Sequence, residues 1–271
     1  MPFLSLKFDH NCGKIDSSVG DPVILAVRAA NLRETLLADA YFMTKIIGRC
    51  RMTNKWGAIV IDIQGDFTKW KQGSLAVPGS DESYVKSVEM ATRLLKDLGV
   101  LIFGTQDWHA PDHISFATSH RGKRPFETVM IDGGTQVLWP PHCIQGTENA
   151  RVLIDNNLFL AVIKSAQNSD VENYSFFQDK NGKKTEMDTV LRVNGVENVI
   201  IYGIATEYCV RATSLDLIVA NYKTTVIESL CRGVSSDAAA AALDEMRKKG
   251  VIVTATPEEI IEEISRENTC K

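Results

Sequence analysis

From Trp56 onward the chain alternates short, continuously apolar runs with amphipathic stretches of helical period, and this rhythm restricts the fold more than any other feature. The apolar runs are Ala58 to Asp62, Val100 to Thr105, Leu160 to Lys164, Val199 to Gly203, Lys223 to Glu228 and Val251 to Val253. Between them, Glu82 to Leu98 repeats Val85, Val88, Ala91, Leu94, Leu95 and Leu98 at helical spacing, and Gly99 stops it. Thr185 to Val193, Glu207 to Asn221 and Asp237 to Lys249 read as further helices. A strand that is apolar along its whole length has no face to give to water, so it needs cover on both sides. The expected fold class is therefore α/β: a three-layer, doubly wound, mostly parallel sheet. It spans 57–256, with 257–271 as a C-terminal tail of helical character.

Residues 1–56 read as an N-terminal extension, partly helical. Leu32, Leu36, Ala40 and Tyr41 share one face of a helix over 23–47, a surface for the core or for a second copy in a homo-oligomer. Glu34 and Asp39 argue against a transit peptide, which is poor in acids. No apolar run approaches the roughly 20 residues that span a bilayer, so no membrane partner is expected. A net charge of −4 and a pI of about 5.8 give no footprint for nucleic acid. With no secretory signal at the start, the six scattered cysteines read as reduced thiols, and the expected location is cytoplasmic.

Parallel sheets of this kind carry their sites beyond the carboxyl ends of the strands. Asp62 ends one apolar run, Asp107 and His109 follow the next, Lys164 ends a third, and Cys209 follows a fourth. One geometric rule brings all of them to one edge of the sheet. Cys209 falls in the first turn of a helix, where the dipole favours a thiolate. A carboxylate such as Asp62 takes a thiol proton and later gives it to a leaving amine, and a lysine beside both, Lys164, keeps the acid ionised. The second constellation is a metal site. Asp107 and His109 are two residues apart in an extended loop start and share a face, and the third ligand is His113 or His142. Carboxylate oxygen with imidazole nitrogen suits zinc, iron or manganese, not calcium. His120, in a basic run with Arg121, Lys123 and Arg124, reads as solvated.

These residues lie in a recognisable series: Asp62-Ile-Gln-Gly-Asp-Phe67, Gly73 to Gly79, Asp107-Trp-His109, His113 to Phe116, Leu138 to Cys143, Tyr174-Ser175 and Gly203 to Val210. In this order they resemble the nicotinamidase (pyrazinamidase) branch of the isochorismatase-like cysteine hydrolases over about 57–255. The resemblance implies the isochorismatase-like hydrolase fold and hydrolysis of nicotinamide, or a similar pyridine carboxamide, in NAD salvage through a cysteine thioester. It implies a catalytic triad of Asp62, Lys164 and Cys209, and one divalent ion, zinc first, on Asp107, His109 and His142. It implies a cis peptide at Ile204–Ala205 with the amides of Ala205 and Cys209 as oxyanion donors. Phe67 and Trp139 match the ring-sandwiching positions, Tyr174 a substrate-binding one, and His113 a position that is a ligand in some members only.

The chain departs from the family at several points. Gly65 stands where asparagine is usual, an expected loosening of the turn after Asp62; Ser165 replaces glycine after Lys164, and Glu207 replaces a frequent aspartate. Two rival functions remain: another metal-dependent amidase of the same superfamily, and a non-catalytic pyridine-binding relative. The metal triplet argues against isochorismatase-type members, and an intact nucleophile with its base argues against a mere binder.

Overall fold

The structure, a computed structural model, describes residues 55–131, 134–179 and 182–269. The helix expected over 23–47 and the rest of the extension up to residue 54 lie outside the described residues. The strands are β1 (Trp56–Ile61), β2 (Leu101–Asp107), β3 (Thr128–Ile131), β4 (Gly134–Val137), β5 (Ala161–Ser165), β6 (Asn198–Ile204), β7 (Lys223–Arg232) and β8 (Ile252–Thr254). The helices are α1 (Glu82–Asp97), α2 (Glu186–Val193), α3 (Arg211–Val219), α4 (Ser236–Lys248) and α5 (Pro257–Thr269). Six strands form one sheet in the order β5-β2-β1-β6-β7-β8, with every neighbouring pair parallel. The chain winds outward from β1 to β2 and β5 in one direction and from β6 to β7 and β8 in the other. The switch point therefore lies between β1 and β6, where open α/β sheets leave a crevice.

Both central strands are buried along their whole length, as their unbroken apolar sequences require. Helix α1 packs against α5, and α3 against α4, so that helices flank the sheet. At the start of α1 the Asp81 carboxylate accepts the Tyr84 N–H at 3.0 Å, satisfying one amide that the helix leaves open. The same helix buries Val85, Val88, Leu94 and Leu95, the stripe that its periodicity marks. At the far end of the chain, Trp56 donates its indole N–H to Glu267 at 2.9 Å, tying β1 to α5.

Three local features differ from the expected pattern. The helix from Glu207 begins as a π-helical turn, Thr206–Val210, before α3. β7 runs on to Arg232, beyond Glu228. A separate antiparallel hairpin, β3 with β4, interrupts the region where no element is legible. Each of its strands has four residues and β3 alternates exposed with half-buried positions, so it carries no continuous apolar run. One glycine is obligatory for the geometry near the switch point: Gly203 has φ +134°, and a Cβ there would lie 2.0 Å from the Ile61 carbonyl oxygen.

Candidate active site

Asp107 at the end of β2, Ala205 and Cys209 after β6, and Phe67 from the loop after β1 line one cavity. Asp62 follows β1 directly and is fully buried, with its backbone at φ +47°. Its N–H donates to Thr105 Oγ1 at 3.0 Å, and the Thr105 hydroxyl donates back to Asp62 Oδ1 at 2.6 Å. This two-way bond aims the carboxylate. Oδ2 is buried without a well-formed hydrogen bond among the described residues, and the Cys209 thiol and the Asp107 backbone both interact with the carboxyl group. Burial, and then the charge of Asp107, push the Asp62 carboxyl well above its ordinary range.

Cys209 sits in the π-helical turn after β6 and lines the cavity with Ala205, and the Ile204–Ala205 peptide is cis. Burial pushes its thiol up, and the carboxylates of Asp62 and Asp107 push it further. The expectation that a helix start would favour the thiolate is therefore corrected. Desolvation and two nearby acids act against the partial positive charge of one helix end and favour the thiol form, which calls for a base.

Lys164 also departs from expectation. It is exposed, its ammonium lies 3.9 Å over the Trp108 ring, and among the described residues it makes no hydrogen bond or ion pair with Asp62 or Cys209. The cause is the pleat of an edge strand. Ile163 and Ser165 are buried on one face, so the residue between them emerges on the other, where an aromatic face attracts the cation.

Opposite the thiol, Asp107, His109 and His142 converge. Asp107 Oδ2 lies 2.8 Å from His109 Nε2 and 3.6 Å from His142 Nε2, and all three side chains are buried. One ligand atom from each falls within 4.8 Å of the others. His142 Nδ1 donates to the Pro140 carbonyl at 2.8 Å, which leaves Nε2 as the lone pair that faces the cluster. His109 Nδ1 is buried without a partner among the described residues. Burial would push the Asp107 carboxyl up, but the imidazoles of His109 and His142 hold it well below the usual carboxylate range. One ionised carboxylate and two imidazoles fit a divalent metal ion.

His113 stands outside this triplet. Its ring packs 4.3 Å from His109, but Nε2 lies 3.2 Å from the Val171 carbonyl and Nδ1 lies 2.8 Å from Ser115 Oγ. Both nitrogens are engaged, and burial lowers its pKa to about 4. His120, read as solvated, is half-buried and donates through Nε2 to the Ile114 carbonyl at 2.7 Å.

Aromatic side chains wall the cavity. Phe67 meets the His142 ring at 5.4 Å, and Trp139 meets Tyr208 edge-on at 5.0 Å. The Trp139 indole N–H donates to the Tyr174 hydroxyl at 3.2 Å. Three further lining residues fall outside every stretch singled out from the sequence: Glu172, Asn173 and Val234. Glu172 carries a signal in hindsight, an acid two positions before Tyr174, and burial raises its pKa. Gly65, an expected loosening, instead accommodates a close neighbour: a Cβ there would lie 2.8 Å from Asn149.

Residues 57–258 match the family model for the isochorismatase domain. The nicotinamidase of Escherichia coli is 37% identical over 183 residues, 65% of this chain and 83% of that protein. Among solved structures, a nicotinamidase/pyrazinamidase of Acinetobacter baumanii superposes with a TM-score of 0.71 at 32% identity, over 78% of this chain and all of that one. The pyrazinamidase of Pyrococcus horikoshii in complex with zinc gives a TM-score of 0.62 at 33% identity, over 74% of this chain and 98% of that one.

Proposed function

The chain belongs to the isochorismatase domain family and is a hydrolase of amide C–N bonds, and from that premise we propose that it hydrolyses nicotinamide to nicotinate and ammonia. One observation carries the assignment: a thiol facing a buried carboxylate and a buried metal-binding triplet open onto the same aromatic-walled cavity. Asp62 takes the proton of Cys209, and Sγ attacks the carboxamide carbon. The amides of Ala205 and Cys209 hold the resulting oxyanion, at roughly 3 kcal/mol of barrier lowering each. Asp62 returns the proton to the departing nitrogen, the C–N bond breaks, and ammonia leaves a nicotinoyl thioester on Cys209. Water then opens the thioester, releasing nicotinate and restoring the thiol.

Asp107, His109 and His142 would hold the divalent ion, zinc first and iron or manganese as rivals, which would supply an electrophilic anchor for the ring nitrogen. Phe67 and Trp139 flank the ring, where stacking adds on the order of 1 kcal/mol beyond burial. Tyr174 steadies Trp139 through the indole N–H. Lys164, over Trp108, has no part in this proton path as it stands. Free thiols are favoured in a reducing compartment, which is compatible with NAD salvage in the cytoplasm. The test is ammonia release from nicotinamide by the zinc-loaded full chain. Release is expected, and no release from nicotinamide, with turnover of another amide, would move the assignment to a different amidase.

A further inference from the structure

The loop that carries Asp62 and Phe67 also holds two buried polar residues, Gln64 and Asp66, that take no part in the steps above. The carboxamide of Gln64 is spent on peptide groups. Its Oε1 accepts the Asp107 N–H at 2.8 Å, while Nε2 donates to the Asp107 carbonyl at 2.8 Å and to the Ala150 carbonyl at 2.8 Å. A side chain thus grips one residue's main chain at both of its polar groups, as a neighbouring strand would. That residue is the only carboxylate of the metal-binding triplet.

Asp66 holds the histidine loop at one main-chain N–H. Its Oδ2 accepts the N–H of Cys143, the residue after His142, at 2.8 Å. Cys143 has φ +47°, a conformation that a residue with a Cβ disfavours, so the turn depends on a partner that fixes it. The Cys143 carbonyl in turn accepts the His109 N–H at 3.0 Å. The other Asp66 oxygen accepts from the Ser74 N–H and hydroxyl at 3.3 Å each and from Asn149 Nδ2 at 3.4 Å. The space that admits Asn149 is the one a side chain at Gly65 would fill.

We propose that Gln64 and Asp66 are positioning residues for the metal centre, Gln64 fixing Asp107 and Asp66 fixing the His142–Cys143 turn. This rests on the reading of Asp107, His109 and His142 as metal ligands. It also gives the loop after the catalytic base a second office: the segment that places the base places the ion relative to it. Residues that orient metal ligands through hydrogen bonds typically change metal affinity by about 10- to 100-fold when replaced.

The experiment is a titration of the metal-stripped full chain with zinc against a chromophoric chelator, for wild type, Gln64→Leu and Asp66→Asn. Melting of each metal-free protein is recorded alongside. Zinc dissociation constants weakened by at least about 10-fold are expected in variants whose metal-free melting stays close to wild type, with kcat recovered at saturating zinc. Folded variants with zinc affinity within about twofold of wild type would overturn the proposal while leaving the metal centre intact. Failure of both variants to fold, with or without zinc, would make the block a folding element and overturn it too. A wild-type chain that takes up no zinc would remove the metal centre itself, an outcome distinct from either.

Discussion

At the Asp107 side of the cavity a buried carboxylate faces two imidazoles and is held ionised, whereas at the Asp62 side a buried carboxylate faces a thiol and both groups are pushed up. Burial is common to the two sides; the partner differs. His109 and His142 compensate the Asp107 charge, while no cation reaches Asp62 among the described residues. One side thus suits a cation, and the other favours the protonated forms of its two groups. In the proposed reaction the difference separates two jobs: fixing the ring, and attacking the carbonyl.

The sharpest way to break the comparison is to remove one side at a time. Cys209→Ala is expected to lower the rate of ammonia release by about 10⁴-fold or more, because it removes the proposed nucleophile. Zinc affinity should stay near wild type; a parallel loss of zinc would show that the two sides are one unit. Asp107→Asn attacks the other side. It should cost on the order of 10²-fold or more in kcat/KM and abolish tight zinc uptake, while the Cys209 thiol still reacts with iodoacetamide. Normal zinc binding in that variant would take Asp107 out of the triplet.

Lys164 sharpens the proton side. Its ammonium sits on Trp108, so Lys164→Ala is expected to lose less activity than Asp62→Asn, whose loss should be about 10²- to 10⁴-fold. Equal losses would mean that the lysine leaves the ring for Asp62 during turnover. The smallest effect concerns the resting thiol. Burial, Asp62 and Asp107 all raise its pKa, so less thiolate is present near pH 7 than in an ordinary cysteine. Alkylation of Cys209 in the metal-stripped protein should keep rising above about pH 9, past the usual thiol range. A plateau below about pH 7 would mean a thiolate at rest.

The strand-end rule made most of this site legible in the sequence. It needed only the apolar runs to bring Asp62, Asp107 and Cys209 together, because a parallel sheet delivers every carboxyl end to one edge. Lys164 escaped the same rule. Leu160 to Lys164 reads as a strand buried on both faces, but β5 is an edge strand and sends alternate residues to solvent, which an apolar run does not reveal. Spacing alone leaves the third ligand between His113 and His142, and the resemblance puts His142 first. The contacts of both His113 nitrogens with the Val171 carbonyl and Ser115 support that order. The hairpin and Glu172 were hidden for the opposite reason: short, alternating or polar stretches carry no periodicity to read.

The division of labour stands or falls on where the covalent bond forms. Rapid acid quenching of the zinc-loaded chain during nicotinamide turnover, followed by peptide mass mapping, measures this directly. A nicotinoyl group on the peptide that contains Cys209, absent in Cys209→Ala, is the expected result. Turnover with no adduct on any cysteine, at quench times that span the first catalytic cycle, would contradict it and move the attack from the thiol to water at the metal side.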